Sequence, residues 1–159
     1  MDFSGEKWGD FMLMGEFHHN VDEKGRLIIP SKFREELGDV VIVTRGLEDC
    51  LFLYSEREWS LIVSRLKTLP FTKKDARSFT RMFLSGATNA EFDKQGRIKI
   101  PMPLCDYASL EKEVVVVGVN DRLEIWSRDK WNSFVSCSKE ELSSLADSLF
   151  DSGFEVSNG

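Results

Sequence analysis

Apolar and polar residues alternate along two short stretches of the chain that have nearly the same letters. The first stretch is VDEKGRLIIP, residues 21–30, and the second is FDKQGRIKIP, residues 92–101. After each glycine the alternation sends Leu27 and Ile29, or Ile98 and Ile100, to one side of a strand and the arginine to the other. Proline ends each strand because it lacks an amide hydrogen. Each stretch therefore predicts a β-hairpin with one apolar and one basic face.

Apolar runs follow both hairpins in the same order. DVVIVTRGLEDCLFLYSEREW begins at Asp39, and EVVVVGVNDRLEIWSRDKW begins at Glu113. Runs rich in β-branched residues predict buried strands. The matching aspartates of the hairpins, Asp22 and Asp93, are 71 positions apart. We conclude that the chain is an internal duplication.

Helical patterns lie between and after the strands. A short helix is predicted from Ser31 to Leu37 and another from Pro103 to Tyr107. Capping residues predict two more helices. Ser55 and Glu58 mark the start of one, and Thr72 and Asp75 mark the start of the other. In the second copy, helices are predicted over 127–134 and 139–149.

These elements divide the chain into six segments and an α+β fold. Each copy has only about 70 residues and too little apolar mass for a robust core, so the copies are predicted to pack together as one pseudo-symmetric body. The predicted segments are a flexible N-terminal extension, 1–13; a first repeat, 14–57; a helical segment, 58–86; a second repeat, 87–130; C-terminal helices, 131–150; and a flexible tail, 151–159.

The aspartate, glycine and arginine of the turn have the same spacing in both copies, and each residue type suggests a role. Gly25 and Gly96 suit a backbone position of positive φ, and the preceding aspartates can accept hydrogen bonds from amides of the turn. Arg26 and Arg97 offer planar, permanently charged donors that can bind a guanine edge or a phosphate. Alternatively, each arginine pairs with its own aspartate across the turn. Both roles can coexist, because a paired arginine is held in one rotamer.

Three lysines near the turns are candidates for DNA phosphate contacts. Lys24 lies in the first turn, Lys94 lies in the second turn one position out of register, and Lys99 shares a face with Arg97. Ordinary solvated lysines are the alternative. Ile28 occupies the position equivalent to Lys99, so the two hairpins are not expected to contribute equally.

Charge is unevenly distributed along the chain. The net charge is -6, yet residues 65–81 contain six basic residues against one acidic, and residues 139–159 contain one lysine against five acidic residues. Lys73, Arg77 and Arg81 repeat at helical spacing. This stripe is a second DNA surface, a solvated face, or a contact for acidic residues of a neighbour.

Other function classes find little support in the sequence. No stretch approaches the roughly 20 apolar residues that span a bilayer, and the N-terminus lacks the order of a secretory signal, so a cytoplasmic location is expected. The three cysteines form no C-x-x-C pair, and no metal site or cofactor is expected. An enzyme that holds a small anionic substrate on Arg26 or Arg97 would need a base or nucleophile, and no motif supplies one.

The Asp22-to-Arg26 motif followed by LIIP resembles the looped-hinge hairpin of the SpoVT/AbrB class of bacterial DNA-binding domains. Two such units, with GRLIIPSKFREEL after the first and GRIKIPMPL after the second, resemble the MraZ family. The resemblance implies a swapped-hairpin (double-ψ-like) β-barrel built from two SpoVT/AbrB-like repeats with flanking helices.

The same resemblance implies a function. Members of the family form ring-shaped homo-oligomers and bind repeated boxes of double-stranded DNA upstream of the cell-division and cell-wall gene cluster, which places them at the nucleoid. The family's DNA-contacting arginine corresponds to Arg26 and Arg97. A protein-interaction module such as an AbrB-like antitoxin is the alternative function.

Overall fold

The computed structural model describes the backbone of residues 12–158 and the side chains of residues 12–150. Nearly all of the predicted N-terminal extension, 1–13, lies outside the described residues. So do the side chains of the predicted tail, 151–159. The chain divides after Arg128 into two units, and the first unit contains both repeated stretches, 21–30 and 92–101.

Each copy begins with two strands, a short helix and two further strands. The elements, in chain order, are β1 (Leu13–Asn20), β2 (Arg26–Ile28), α1 (Ser31–Leu37), β3 (Val40–Arg45), β4 (Leu51–Ser55), α2 (Glu56–Lys67), α3 (Lys74–Ser85), β5 (Thr88–Glu91), β6 (Arg97–Lys99), α4 (Met102–Tyr107), β7 (Glu113–Asn120), β8 (Leu123–Ser127) and α5 (Arg128–Asn158).

The two copies interlock in a six-stranded antiparallel sheet with the order β1-β7-β8-β4-β3-β5. Strand β1 of the first copy pairs with β7 of the second, and β5 of the second pairs with β3 of the first. At the centre, β4 pairs with β8. Neither copy therefore completes its own sheet, which agrees with the prediction that they pack as one body.

A separate two-stranded ribbon is formed by β2 and β6, one strand from each copy. Its inward side chains, Leu27 and Ile98, are almost fully buried and belong to the same core cluster as Val41 and Val116 of the sheet. Burial of these apolar groups fastens the ribbon to the body, because apolar burial contributes about 25 cal/mol per Å².

The fold is mixed α+β, as predicted, but a closed barrel is not found. The six-stranded sheet ends at β1 on one side and β5 on the other. Among the described strands, no pairing joins those two ends, and the ribbon β2–β6 forms a sheet of its own.

Two helical predictions differ from the structure. A single helix, α5, replaces the two predicted over 127–134 and 139–149, because serine and cysteine between them weaken a helix without breaking it. Its backbone includes most of the predicted tail. Helix α3 begins after Lys73 with no side-chain cap, since Thr72 lies in a turn closed by the hydrogen bond from the Lys73 amide to the Pro70 carbonyl.

Candidate nucleic-acid interface

The turn between β1 and β2 is organised by the carboxylate of Asp22. Its Oδ1 accepts hydrogen bonds from the backbone amides of Lys24 and Arg26, each at 2.9 Å. Its Oδ2 accepts from Nε of Arg26 at 2.7 Å. The backbone adds bonds from the Asp22 amide to the Arg26 carbonyl and from the Gly25 amide to the Asp22 carbonyl, each at 3.0 Å. One carboxylate therefore fixes both the turn and the side chain of its arginine.

The turn between β5 and β6 repeats this arrangement. Asp93 Oδ1 accepts from the amides of Gln95 and Arg97 at 2.9 Å, and Oδ2 accepts from Nε of Arg97 at 2.8 Å. The two turns therefore share their hydrogen-bonding geometry as well as their amino-acid sequence.

Both turns require glycine. Gly25 and Gly96 each have φ of +81°, a region that side chains with a Cβ rarely adopt. A Cβ on Gly25 would stand 2.7 Å from the carbonyl oxygen of Ile100, whereas a Cβ on Gly96 would meet the guanidinium of Arg34 at 2.8 Å. Both positions therefore disfavour any residue with a side chain.

Hydrogen bonding lowers the pKa of both turn aspartates. For Asp22 the main cause is the backbone amide of Arg26, with desolvation acting in the opposite sense and the Arg26 side chain and Lys24 amide adding to the decrease. For Asp93 the main cause is the backbone amide of Arg97. Desolvation again acts in the opposite sense, and the Arg97 side chain and the Gln95 amide add to the decrease in pKa. Both carboxylates are accordingly charged at neutral pH.

Pairing of β2 with β6 brings the basic side chains of both copies onto one surface. Arg26 lies opposite Lys99, and Ile28 lies opposite Arg97. Since Leu27 and Ile98 point into the core, these four residues occupy the outer face of the ribbon. We call this surface the ribbon face. It contains three positive side chains and one exposed isoleucine.

The two turns also approach each other across the ribbon face. Nη1 of Arg97 lies 3.9 Å from Oδ2 of Asp22, so the first turn's carboxylate is near both arginines. About one third of each arginine side chain is exposed. For Arg26, no hydrogen bond from Nη1 or Nη2 to the described part of the chain is found, which leaves these atoms available to a ligand.

The predicted lysine sites lie on and beside the ribbon face. Lys99 is exposed directly opposite Arg26, while Lys24 and Lys94 are exposed in the two turns. The separate helical stripe of Lys73, Arg77 and Arg81 belongs to α3 and its N-cap. It lies outside the ribbon, so the sequence-predicted sites form one group at the ribbon and a second on a helix.

Comparison with known proteins extends the resemblance over most of the chain. The family model described as MraZ protein, antitoxin-like, matches residues 12–82 and 83–152. A protein from Desulforamulus reducens named "Transcriptional regulator MraZ" is 54% identical over 140 residues, which cover 88% of this chain and 99% of that protein.

The chain belongs to the MraZ family.

Another relative, from Ligilactobacillus salivarius, has the same name and is 52% identical over 140 residues, covering 88% of this chain and 98% of its own. The solution structure of PHS018 from Pyrococcus horikoshii matches 69% of this chain and 92% of its own at 22% identity. Its TM-score is 0.32, which is too low to support an argument. Each of the two segments matched by the MraZ model contains one hairpin.

Arg34 is a supporting residue that the sequence did not single out. It lies on α1, donates from Nε to the carbonyl oxygen of Ile29 at 2.9 Å, and packs against Gly96 of the other copy's turn. The sequence around Arg34 does not indicate this role, because Arg34 belongs to the first copy and Gly96 belongs to the second.

The described residues provide little for other chemistry. Across their side chains, no group of three or more His, Cys, Asp or Glu is arranged to bind a metal ion. Burial raises the pKa of the Cys105 thiol and, to a larger extent, that of Cys50. These two thiols are therefore poor nucleophiles. None of the helices within residues 12–158 combines the length and apolar character that crossing a bilayer requires.

Proposed function

We propose that this chain is a transcriptional regulator that binds double-stranded DNA through the ribbon face. The observation that supports this best is the pairing of β2 with β6, by which Arg26, Arg97 and Lys99 share one outer surface. The names of the two relatives, both transcriptional regulators, point in the same direction.

The shape of the ribbon suits the proposed ligand. The major groove of B-DNA is about 12 Å wide and admits a two-stranded β-ribbon. Each arginine has Nε engaged by an aspartate, which holds the guanidinium plane, and Arg26 keeps both Nη atoms for a guanine edge or a phosphate. In this arrangement Arg26 and Arg97 read bases, and Lys24, Lys94 and Lys99 contact phosphates.

Charge on the ribbon face favours an anionic partner. Arg26 and Lys99 lie directly opposite each other, and like charges at such positions destabilise a free strand pair. Asp22 and Asp93 offset part of this repulsion. The phosphate groups of DNA would neutralise the remaining repulsion between Arg26 and Lys99. Relief of this repulsion would then contribute favourably to the free energy of binding.

The finer features implied by family membership belong to the same proposal. Rings of this chain bind repeated boxes upstream of the cell-division and cell-wall gene cluster, without a cofactor, at the nucleoid in the cytoplasm. The ribbon β2–β6 and the sheet are two parts of a swapped-hairpin barrel. The exchange of strands between copies and their common core support that arrangement.

A titration of the chain on the DNA upstream of its own gene, with substitutions on the ribbon face, tests the proposal. The variants are Arg26→Ala, Arg97→Ala and both together, and Arg57→Ala on α2 is the control for loss of an exposed arginine elsewhere. Loss of a base contact should reduce discrimination between cognate and scrambled DNA by about 1–3 kcal/mol. Loss of a phosphate contact should reduce the salt slope by about 0.9. If the double variant binds like the control, the ribbon face is not the DNA surface.

An antitoxin-like role is the second candidate, favoured by the description of the matched family model. It requires a stable protein partner. The purified chain alone should bind its upstream DNA under our proposal, whereas the antitoxin role is favoured if the chain is recovered from cells in a fixed ratio with one other protein.

A further inference from the structure

One of the four side chains of the ribbon face is apolar. Ile28 lies on the outer side of β2, two residues after Arg26, and 37% of it is exposed. The equivalent residue of the second copy is Lys99, to which the proposed function assigns a phosphate contact. An isoleucine has no charge and no hydrogen-bond donor, so Ile28 cannot bind a phosphate as Lys99 can.

The register of the ribbon places the Ile28 side chain close to that of Arg97. The next pair along the ribbon is joined by a hydrogen bond from the Ile29 amide to the Gly96 carbonyl at 3.0 Å. Hydrogen-bonded and non-hydrogen-bonded pairs alternate in an antiparallel ladder, so Ile28 and Arg97 form a non-hydrogen-bonded pair. In such pairs the Cα atoms are about 4.5 Å apart and the side chains are closer. Ile28 therefore lies directly beside an arginine that is proposed to read bases.

The two arginines of the ribbon face are held close to the strands. Oδ1 of Asp22 accepts from the backbone amide of Arg26, while Oδ2 of the same carboxylate accepts from Nε of Arg26. A guanidinium that shares a carboxylate with its own backbone stays near the strand instead of extending away from it. Asp93 holds Arg97 in the same way. A base edge that reaches either guanidinium therefore also comes close to the shorter side chain of Ile28.

The base edges of the major groove include one group that suits an isoleucine. The methyl group at C5 of thymine projects into this groove, and it is recognised by apolar contact. The other identifying groups are hydrogen-bond donors and acceptors, with which isoleucine cannot pair. Contact between Ile28 and a thymine methyl group would remove both apolar surfaces from water, which is favourable.

We propose that Ile28 is a specificity-determining residue that recognises thymine through its C5 methyl group. The inference rests on the proposed binding of DNA by the ribbon face and adds a base type to it. Because Lys99 occupies the equivalent position of β6, the first copy alone makes this contact.

Deoxyuridine is the probe, because it differs from thymidine only in lacking the C5 methyl group. Fluorescence anisotropy measures the Kd of the native chain for a one-box fragment of its upstream DNA. The same measurement is repeated with each thymine of the box replaced in turn by deoxyuridine. At one position the replacement should weaken binding by about fourfold, the factor expected for exposing one methyl group to water. Every hydrogen bond of the base pair is retained.

Ile28→Ala removes the same contact from the protein. The alanine side chain is too short to replace isoleucine, so the variant should bind the unmodified fragment about fourfold more weakly than the native chain. It should also lose the response to deoxyuridine at that position. Leu61→Ala on α2 is the matched control, because Leu61 is 48% exposed and lies outside the ribbon. This control should respond to deoxyuridine as the native chain does.

Ile28→Lys is a second variant, which gives the first copy the residue that the second copy already has. Lys99 shows that a ribbon strand accepts lysine at this position, so Ile28→Lys also serves if Ile28→Ala fails to fold. A lysine offers no apolar tip to the methyl group. Ile28→Lys should therefore bind the thymidine and deoxyuridine fragments equally well.

Two results would overturn the assignment of Ile28. One is a native chain that binds the unmodified fragment and every deoxyuridine fragment with the same Kd. The other is a folded Ile28 variant that keeps the native response, which would attribute the response to DNA shape, because a change in shape affects native chain and variant alike. A native chain that binds none of its upstream DNA would instead reject the proposed function itself.

Discussion

At the scale of single residues, one carboxylate does two tasks in each turn. Asp22 binds two backbone amides through Oδ1 and the Arg26 side chain through Oδ2. The sequence left open whether the arginine pairs with its aspartate or contacts DNA. Because the pairing uses only Nε of Arg26, the two roles are compatible, and the pair orients the arginine before any ligand arrives.

The two turn glycines should differ in how much an added methyl group destabilises the fold. Both Gly25→Ala and Gly96→Ala require a Cβ at φ +81°, which costs about 1–2 kcal/mol. The new Cβ at Gly25 also meets the backbone carbonyl of Ile100, which cannot move easily, while that at Gly96 meets the flexible Arg34 side chain. We expect Gly25→Ala to lower the free energy of unfolding by about 1–3 kcal/mol more than Gly96→Ala. Urea denaturation at one protein concentration measures both, and equal losses would contradict this account.

The turn aspartates should contribute to the acid sensitivity of the fold. The folded-state pKa of Asp22 and of Asp93 lies below the ordinary value of 3.8. Their stabilising contribution is therefore complete above that value and is lost as the pH falls through the folded pKa. Replacing both by Asn should flatten the fall in the free energy of unfolding below pH 3.8, with little change in its slope between pH 5 and 7. Denaturation curves at several pH values test this, and an unchanged acid slope would exclude the aspartates as its source.

At the scale of elements, local sequence predicted the two turns and the start of α2 but not the partner of each strand, because β2 pairs with β6 of the other copy and β1 pairs with β7. The alternation of apolar and polar residues and the turn residues predicted that β2 and β6 are strands whose arginine side chains point outward. Nothing in either stretch indicated that Arg26 would lie opposite Lys99, because that pairing joins residues from different copies. The unequal residues at Ile28 and Lys99 suggested unequal hairpins, whereas the structure places both in one surface. Long-range pairing depends on the whole core, which short windows do not contain.

Two predicted caps provide a matched test at the same scale. The Ser55 hydroxyl accepts from the Glu58 amide at 3.1 Å and caps α2, as the sequence predicted. Thr72 was also predicted as a cap, but α3 has no side-chain cap. Ser55→Ala should lower the free energy of unfolding by about 1 kcal/mol. Thr72→Ala should change it by less than about 0.5 kcal/mol. Thermal or urea denaturation compares them, and a larger effect at Thr72 would show that its side chain caps α3 after all.

At the scale of the whole molecule, net charge and local charge act in opposite directions. The chain has a net charge of -6, which repels DNA at long range, while the ribbon face presents Arg26, Arg97 and Lys99. One ribbon offers few phosphate contacts, so the affinity of a single ribbon for DNA is expected to be low. Under the proposed function, useful affinity would come from several ribbons on one assembly that bind several boxes on one DNA molecule.

Affinity should therefore depend steeply on the number of boxes. Once one subunit of a ring is bound, the next ribbon meets its box at a high effective concentration, so binding to three adjacent boxes should be roughly a hundredfold tighter than binding to one. Gel-shift titrations on DNA with one, two and three boxes measure this, and DNA of equal length with the two additional boxes scrambled controls for nonspecific contacts. Equal affinity for one box and three by the native chain would mean that the ribbons act singly, and the proposed role of the assembly would then fail.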